Sequence, residues 1–86
     1  MQRGWVISPD YRALVDALAA QRRHLGVSQR ELARRLGKPP SFVNKIELFE
    51  RRLDVIEFIA VSEALGHRPG TLLDNLRDNL PSNVTI

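Results

Sequence analysis

Apolar residues recur along most of the chain at spacings of three and four residues, and this period predicts helices rather than strands. The first helix is expected over residues 9–25. Ser8 before Pro9 is typical of a helix start, because a hydroxyl caps the first backbone N–H groups and proline suits the first helical turn. The predicted core face of this helix consists of Leu14, Ala17, Leu18 and Leu25.

A second helix is expected to end at Leu36. Ser28 and Glu31 have the spacing of a capping box at its start. Leu32 and Leu36 form its apolar stripe. Gly37 follows, and glycine is the usual residue for closing a helix in the left-handed conformation.

Residues 38–40, Lys-Pro-Pro, predict a turn, and a third helix is expected from about Pro40 to Phe49. Val43 and Ile46 give this helix an apolar stripe, which can close on the stripe of the second helix.

Asp54 and Glu57 form another predicted capping box, in front of a fourth helix over residues 55–65 that ends before Gly66. We assign the apolar content of this helix to the core, with Ile56, Ile59 and Ala60 followed by residues 63–65. A fifth helix is expected over residues 69–80. It carries four leucines, Leu72, Leu73, Leu76 and Leu80.

These four leucines exceed what a thin core can bury, so the fourth and fifth helices are a candidate dimer surface. The alternative is that all four leucines pack inside the domain. Together the elements predict an all-α fold, with one compact five-helix domain over residues 9–80. An arm over residues 1–8 precedes it, and a tail over residues 81–86 is either loose or an edge strand.

The two central helices, residues 29–48, have the spacing of a helix-turn-helix. Five positions carry that spacing: Gln29, Ala33, Gly37, Val43 and Ile46. Ala33 matters because two short helices that cross steeply need a small residue where their backbones approach. We interpret the stretch as a DNA-binding unit; the alternative is a generic helical hairpin within a bundle.

Charge supports the first interpretation. Residues 1–52 carry eleven basic and five acidic side chains, a net +6, whereas residues 53–86 carry two basic and five acidic ones, a net −3. The basic half contains the helix-turn-helix, as binding to phosphate requires.

Other classes of protein have little support in the sequence. There is no cysteine, and the two histidines are far apart, so we expect no disulfide, no metal site and no cofactor. We expect no enzyme activity, because no nucleophile and base, paired carboxylates or phosphate-binding glycine loop is evident. No apolar run approaches the ~20 residues of a membrane span, and no signal peptide is evident. We therefore expect a cytoplasmic protein that is associated with the nucleoid when it binds DNA.

Three stretches, RRHLGVSQRELARRLG, SFVNKIE and ERRLDVIEFIAVSEALG, resemble the Cro and phage-repressor type of helix-turn-helix transcription regulators, the XRE-like family. The resemblance covers about residues 11–76. It implies a lambda-repressor-like bundle of five helices and homodimers that bind operators in double-stranded DNA.

The resemblance also assigns individual roles. The implied base-reading residues, at the start of the third helix, are Pro40, Ser41, Asn44 and Lys45. The predicted phosphate contacts, with Lys38 of the turn included, are Gln29, Lys38, Arg51 and Arg52. Arg22 and Glu47 match a partly buried salt bridge that ties the first helix to the third, so we assign them a structural role.

The sequence departs from the family pattern at three points. Pro40 replaces a glutamine that reads adenine in many relatives, so specificity must depend on Ser41, Asn44 and Lys45. Pro39 replaces the usual hydroxyl cap of the third helix. Leu48 and Phe49 replace a turn made of a polar residue and a glycine, and a bulky residue such as Phe49 resists left-handed geometry. Either the third helix runs longer, or Phe49 is an exposed contact for a partner.

Two functions follow. The first is a sequence-specific transcription regulator, expected to be a repressor that acts by steric exclusion. As a homodimer it would bind an inverted repeat in the major groove, with half-sites ~34–36 Å apart. The alternative is an antitoxin-like module that neutralises a partner toxin and represses its own operon, using residues 5–7, Phe49 and the tail residues 83–86.

Overall fold

The computed structural model describes residues 7–86, which form five helices connected by short turns and contain no strand. The helices are α1 Pro9–His24, α2 Gln29–Leu36, α3 Ser41–Glu47, α4 Val55–Ala64 and α5 Pro69–Arg77. The prediction of an all-α fold with five helices is confirmed. Residues 1–6, which include Trp5 and most of the predicted arm, lie outside the described residues.

Local capping signals set the starts of α2 and α4. At α4 both bonds of the capping box form: the Glu57 N–H donates to Asp54 Oδ1 at 2.7 Å, and the Asp54 N–H donates to Glu57 Oε1 at 3.0 Å. At α2 only half of the box forms. The Ser28 hydroxyl accepts the Glu31 N–H at 3.0 Å, whereas the Glu31 carboxylate binds two arginines of its own helix.

The helices pack around one core. α2 contacts α3 and α4, α1 contacts α3 and α5, and α4 contacts α5. Among the described residues, α5 therefore lies away from the helix-turn-helix and closes the other side of the bundle. The buried core consists of Leu18, Val27, Leu32, Ala33, Val43, Val61, Leu65, Leu72 and Leu76.

On α1 the predicted core face is correct at Leu18 and wrong at Leu25, which is exposed. Leu25 is the cap after the last helical residue, and the chain turns there so that Val27 enters the core instead. Leu14 and Ala17 are half-buried against the core. The buried residues of α1 that we missed are Val15 and Ala19.

On α4 the assignment of Ile56, Ile59 and Ala60 to the core is wrong, since all three are exposed. Ile56 is 72% exposed. The residues that face inward are Val61, Ser62 and Leu65. Because α4 is apolar around most of its circumference, its sequence period does not define the side that α2 and α5 cover.

The third helix is shorter than predicted, because it begins at Ser41 and ends at Glu47. Pro40, not Pro39, occupies the N-cap position, and it makes no side-chain cap bond. Phe49 adopts the left-handed conformation at φ 61°, so the expectation that it would resist this geometry is wrong. Its ring is half-buried and lies edge-on to Tyr11, with the centroids 6.4 Å apart, and this contact offsets the backbone strain.

The four leucines of the predicted dimer surface divide between core and exterior. Leu72 and Leu76 belong to the core between α5 and its neighbours, so their assignment to a dimer contact is wrong. Leu73 is 46% exposed. Leu80 is half-buried and lies beyond the helix, which ends at Arg77 rather than at residue 80.

The tail, residues 81–86, forms neither a helix nor an edge strand. It lies near the start of α1, where the Thr85 N–H donates to the Asp10 carboxylate at 2.7 Å. None of the helices in residues 7–86 has the length and apolar character needed to cross a membrane. The same residues bring together no cluster of three or more side chains that could hold a metal ion.

Candidate nucleic-acid interface

The helix-turn-helix consists of α2, the turn after it and α3. The residues whose spacing predicted this motif are also the ones that hold it together. Ala33 is buried at the α2 and α3 contact, where its methyl group lets the two helices approach. Gly37 ends α2 in the left-handed conformation at φ 68°. Val43 and Ile46 are both buried. One side of α3 is thereby fixed inside the domain, and its other side faces out.

The start of α3 presents polar side chains on this outer side. Ser41 and Lys45 are exposed, Asn44 is half-buried, and Pro40 is exposed at the N-cap. The spacing of 41, 44 and 45 places these residues on one helix face. Hydroxyl, amide and ammonium groups on one exposed face can all form hydrogen bonds to the edges of base pairs.

A buried ion pair fixes the orientation of α3 against α1. The Arg22 guanidinium donates to both oxygens of the Glu47 carboxylate, with Nε to Oε2 at 2.8 Å and Nη2 to Oε1 at 3.0 Å. The two side chains are only 8% and 14% exposed. Arg22 Nη1 also donates to the Val27 carbonyl at 2.8 Å, which ties in the turn before α2. Three elements of the domain thus meet at one guanidinium.

Gln29 joins the same network. It is the first residue of α2, and its side-chain amide donates to Glu47 Oε1 at 2.7 Å. The amide is therefore oriented at the N-terminus of α2, where backbone N–H groups and the helix dipole favour an anion.

Arg51, a predicted phosphate contact, is held within the domain. Its guanidinium bonds both oxygens of Glu57, with Nη1 to Oε1 at 2.8 Å, and lies 4.8 Å from the centroid of the Phe42 ring. The bonds to Arg51 lower the pKa of Glu57, and the same pair raises the pKa of Arg51. Through these contacts Arg51 braces the loop against α3 and α4.

Lys38 is the other predicted phosphate contact nearby. It is exposed, and its ammonium lies 5.5 Å from the centroid of the same Phe42 ring.

Arg52 is exposed, and its guanidinium lies 4.4 Å from the centroid of the Tyr11 ring. The Tyr11 hydroxyl accepts the Leu53 N–H at 2.9 Å, so the start of α1 is fastened to the loop that carries Arg52. Arg12, the next residue of α1, lies over the Phe49 ring at 4.3 Å. The loop after α3 and the first turn of α1 thus lie side by side, with one guanidinium over each ring.

A family model described as Helix-turn-helix matches residues 18–73, well over half of the chain. The chain is also similar to the structure of an XRE-family like protein from Pseudomonas syringae pv. tomato str. DC3000. The two sequences are 49% identical, the match covers 84% of this chain and 88% of that chain, and the TM-score is 0.76. This chain belongs to the XRE-like family of helix-turn-helix proteins.

The clp gene regulator ClgR from C. glutamicum shares the fold of this XRE-like protein, with a TM-score of 0.72 over 90% of this chain and 100% of that chain. At 23% sequence identity, that likeness shows the fold alone. None of the curated proteins matches this sequence significantly. The XRE-like family is a type of DNA-binding transcription regulator and not an enzyme class, so this chain is a DNA-binding regulator.

Sequence reasoning missed two features of this XRE-like domain. It gave Arg12 no role in the site, although the fold places Arg12 beside the loop that follows α3. It also gave Phe42 no role, although the cations of Lys38 and Arg51 both contact the Phe42 ring. Tyr11 and Arg12 are adjacent in the sequence, but only the fold shows which rings and cations meet.

The outer side of α2 carries a further acidic and basic cluster. Glu31 bonds Arg34 and Arg35, with Arg34 Nε to Oε1 at 2.8 Å, and these two hydrogen bonds lower the pKa of Glu31 to about 2. Arg35 also donates to the Ala64 carbonyl at 2.9 Å, which links α2 to the end of α4. These arginines are engaged along α2, in contrast to the polar residues at the start of α3.

Proposed function

We propose that this XRE-like protein is a sequence-specific repressor that binds an inverted-repeat operator as a homodimer, with α3 in the major groove. The observation that supports it is the exposed polar face at the start of a helix whose buried side is locked by the Arg22 and Glu47 pair. Binding of bases requires such rigidity, since a hydrogen-bonding side chain must arrive at a defined place in the groove.

In this proposal the base-reading residues are Ser41, Asn44 and Lys45. Asn44 pairs with adenine through two hydrogen bonds, Lys45 donates to guanine, and Ser41 bonds either base. Pro40 has no polar side chain, so it offers apolar contact to a thymine methyl group. Each good base contact contributes about 1–3 kcal/mol of discrimination against the wrong base.

Residues that contact the DNA backbone lie on both sides of these base-reading residues in the proposal. Gln29 is oriented at the N-terminus of α2, Lys38 is exposed in the turn, and Arg52 is exposed after α3. Arg51 is removed from this set in our proposal, because Glu57 already neutralises it and both groups are held at the loop. Phosphate contacts of this kind set the register of the protein on DNA but do not distinguish sequences.

A homodimer is proposed because two copies of α3 on a two-fold axis would meet half-sites about 34–36 Å apart, one turn of DNA. Leu73 is the candidate contact on α5, as it is exposed while Leu72 is buried. We expect Leu73→Glu to shift the protein toward monomer in sedimentation equilibrium. A dimer bound to an operator excludes other proteins from that DNA, which is the proposed basis of repression.

The function is tested with a duplex recovered by selection from a random-sequence pool. Asn44→Ala and Lys45→Ala are expected to relax the preference at individual base pairs, whereas Gln29→Ala is expected to weaken binding to all sequences alike. Fluorescence anisotropy titrations with single-base variants of the duplex measure both effects. Unchanged base preferences in both α3 variants would remove the support for reading by this helix.

The alternative function is that of an antitoxin-like module that binds a protein partner. The observation in its favour is an apolar surface on α4, where Val55 is 75% exposed and Ile56 is 72% exposed. Phe49 does not contribute to such a surface, since its ring packs against Tyr11. Expression of the chain with its neighbouring gene tests this function, and a stable complex that blocks DNA selection would favour it over the repressor.

A further inference from the structure

A cluster of two aromatic rings and two arginines lies between the first turn of α1 and the loop after α3. The Tyr11 and Phe49 rings meet at an interplanar angle of 67° with their centroids 6.4 Å apart. The Arg12 guanidinium carbon is 4.3 Å from the Phe49 centroid, and that of Arg52 is 4.4 Å from the Tyr11 centroid. Each ring therefore supports one guanidinium through a cation–π contact.

The backbone of Phe49 is strained to make this cluster. Its φ of 61° is a conformation that side chains other than glycine seldom adopt, and such strain persists where the surroundings over-determine it. The surroundings here include a fixed partner, because the Tyr11 hydroxyl is anchored by the Leu53 N–H at 2.9 Å. A glycine at position 49 would relieve the strain, but it would remove the aromatic ring that supports the Arg12 guanidinium.

Arg12 differs in its electrostatic surroundings from the four arginines that form ion pairs in the described part of the chain. Within residues 7–86, Arg22, Arg34, Arg35 and Arg51 each form an ion pair with a glutamate, whereas no carboxylate lies within ion-pair distance of Arg12. The Arg12 side chain is exposed. Its positive charge is thus oriented by Phe49 and is not neutralised by the described part of the chain.

This cluster adjoins the end of α3. The Phe49 N–H donates to the Ile46 carbonyl at 3.0 Å, and the next N–H, of Glu50, donates to the Lys45 carbonyl at 2.9 Å. The backbone of Phe49 therefore lies about one helical turn from Lys45, a base-reading residue of the proposed function. The loop after a recognition helix is a place where proteins contact the DNA backbone.

We propose that Arg12 is a contact to a DNA backbone phosphate, and that Phe49 is the positioning residue that aims it. The proposal rests on the proposed DNA-binding function and extends the interface from α2 and α3 to the first turn of α1. Arg52 on the neighbouring ring contacts the same stretch of backbone. Stacking leaves the guanidinium N–H edge available, so cation–π support and a phosphate contact are compatible.

The test compares Arg12→Ala, Arg12→Lys, Phe49→Gly and the double variant Arg12→Ala/Phe49→Gly in titrations of a random-sequence duplex and a selected duplex across a salt series. Arg77→Ala is the matched control. It removes the same charge from α5, which contacts α1 and α4 but not α2 or α3. Thermal unfolding of every variant shows whether the fold is retained.

Arg12→Ala is expected to weaken binding about tenfold on both duplexes and to lower the slope of log affinity against log salt by about 0.9, the value for one lost phosphate contact. Arg12→Lys should keep the slope, because it keeps the charge. Phe49→Gly should weaken binding without lowering the melting temperature. The double variant should bind no more weakly than Arg12→Ala, since Phe49 acts through Arg12.

If Arg12→Ala has the same affinity and the same salt slope as the control Arg77→Ala, the proposed phosphate contact is overturned, while the DNA-binding function stays intact. Independent losses that multiply in the double variant would overturn the positioning role of Phe49. If the unaltered protein binds neither duplex at low salt, the proposed function itself fails, and the phosphate contact fails with it.

Discussion

The Arg22 and Glu47 pair makes a sharp prediction about stability. Arg22 donates three hydrogen bonds at 2.8, 3.0 and 2.8 Å, two to Glu47 and one to the Val27 carbonyl. Arg22→Met leaves a carboxylate that is 14% exposed with Gln29 as its remaining described partner, and Glu47→Leu leaves a guanidinium that is 8% exposed. Removal of one member of a buried pair costs roughly 3–5 kcal/mol.

That loss is large for a chain of 86 residues. At about 0.05–0.15 kcal/mol per residue, the whole domain has a free energy of unfolding of roughly 4–13 kcal/mol. We therefore expect either single variant to lose about a quarter or more of its stability in urea unfolding followed by circular dichroism. The matched control is Arg23→Ala on the exposed side of α1, which should change stability by less than about 0.5 kcal/mol.

The double variant Arg22→Met/Glu47→Leu shows whether the two side chains stabilise the fold as one ion pair or through independent contacts. It removes both charges together, so it should cost much less than the sum of the two single variants, with a coupling energy of at least about 2 kcal/mol. A remaining loss of about 1 kcal/mol is expected because the Val27 carbonyl loses its donor. Single losses that add to within about 0.5 kcal/mol in the double variant would refute the reasoning.

Further predictions concern caps, turns and pH. Ser28→Ala should lower the free energy of unfolding by about 1 kcal/mol, and Ser28→Asn should restore it, because the side chain accepts the Glu31 N–H. Gly37→Ala should cost about 1–2 kcal/mol in urea unfolding from left-handed backbone strain alone, since a Cβ at that position meets no atom within 4 Å. The folded-state pKa of Glu57 lies below its ordinary value of 4.5, so on acidification the unfolded chain binds the proton first. Stability should therefore fall below about pH 4.5, and Glu57→Gln should reduce this dependence.

The helix-turn-helix could be predicted because its determinants are local. The Ser28 cap, the left-handed glycine at residue 37 and the stripe of Val43 and Ile46 each act within one or two turns of the chain. The starts of α1, α2, α4 and α5 were predicted for the same reason. The resemblance to the family rested on positions whose spacing is fixed by the crossing of two helices, and the family match over residues 18–73 confirms it.

The orientation of α4 could not be predicted, because hydropathy alone does not say which of its apolar residues are covered. Ile56 and Val61 are both apolar, yet one is exposed and the other is buried. The same is true of Leu73 and Leu72 on α5. Burial at these positions depends on where α1 and α2 pass, which is a property of the whole bundle rather than of the segment.

Phe49 shows a different limit. Its conformational preference predicted a longer helix or an exposed ring, and both were wrong because a contact from α1 decides the outcome. Tyr11 precedes Phe49 by a long stretch of sequence, and no local rule connects them. The role of Arg51 depended in the same way on Glu57, whose carboxylate serves both the α4 cap and the loop arginine.

The central claim is that a dimer of this XRE-like protein reads base pairs through the start of α3. Selection of bound duplexes from a random-sequence pool, followed by sequencing, tests that claim directly. We predict enrichment of an inverted repeat whose half-sites are about 34–36 Å apart, with loss of the enriched base pairs in the Asn44→Ala protein. Absence of any enriched sequence at low salt, or an enriched sequence that Asn44→Ala and Lys45→Ala leave unchanged, would contradict it.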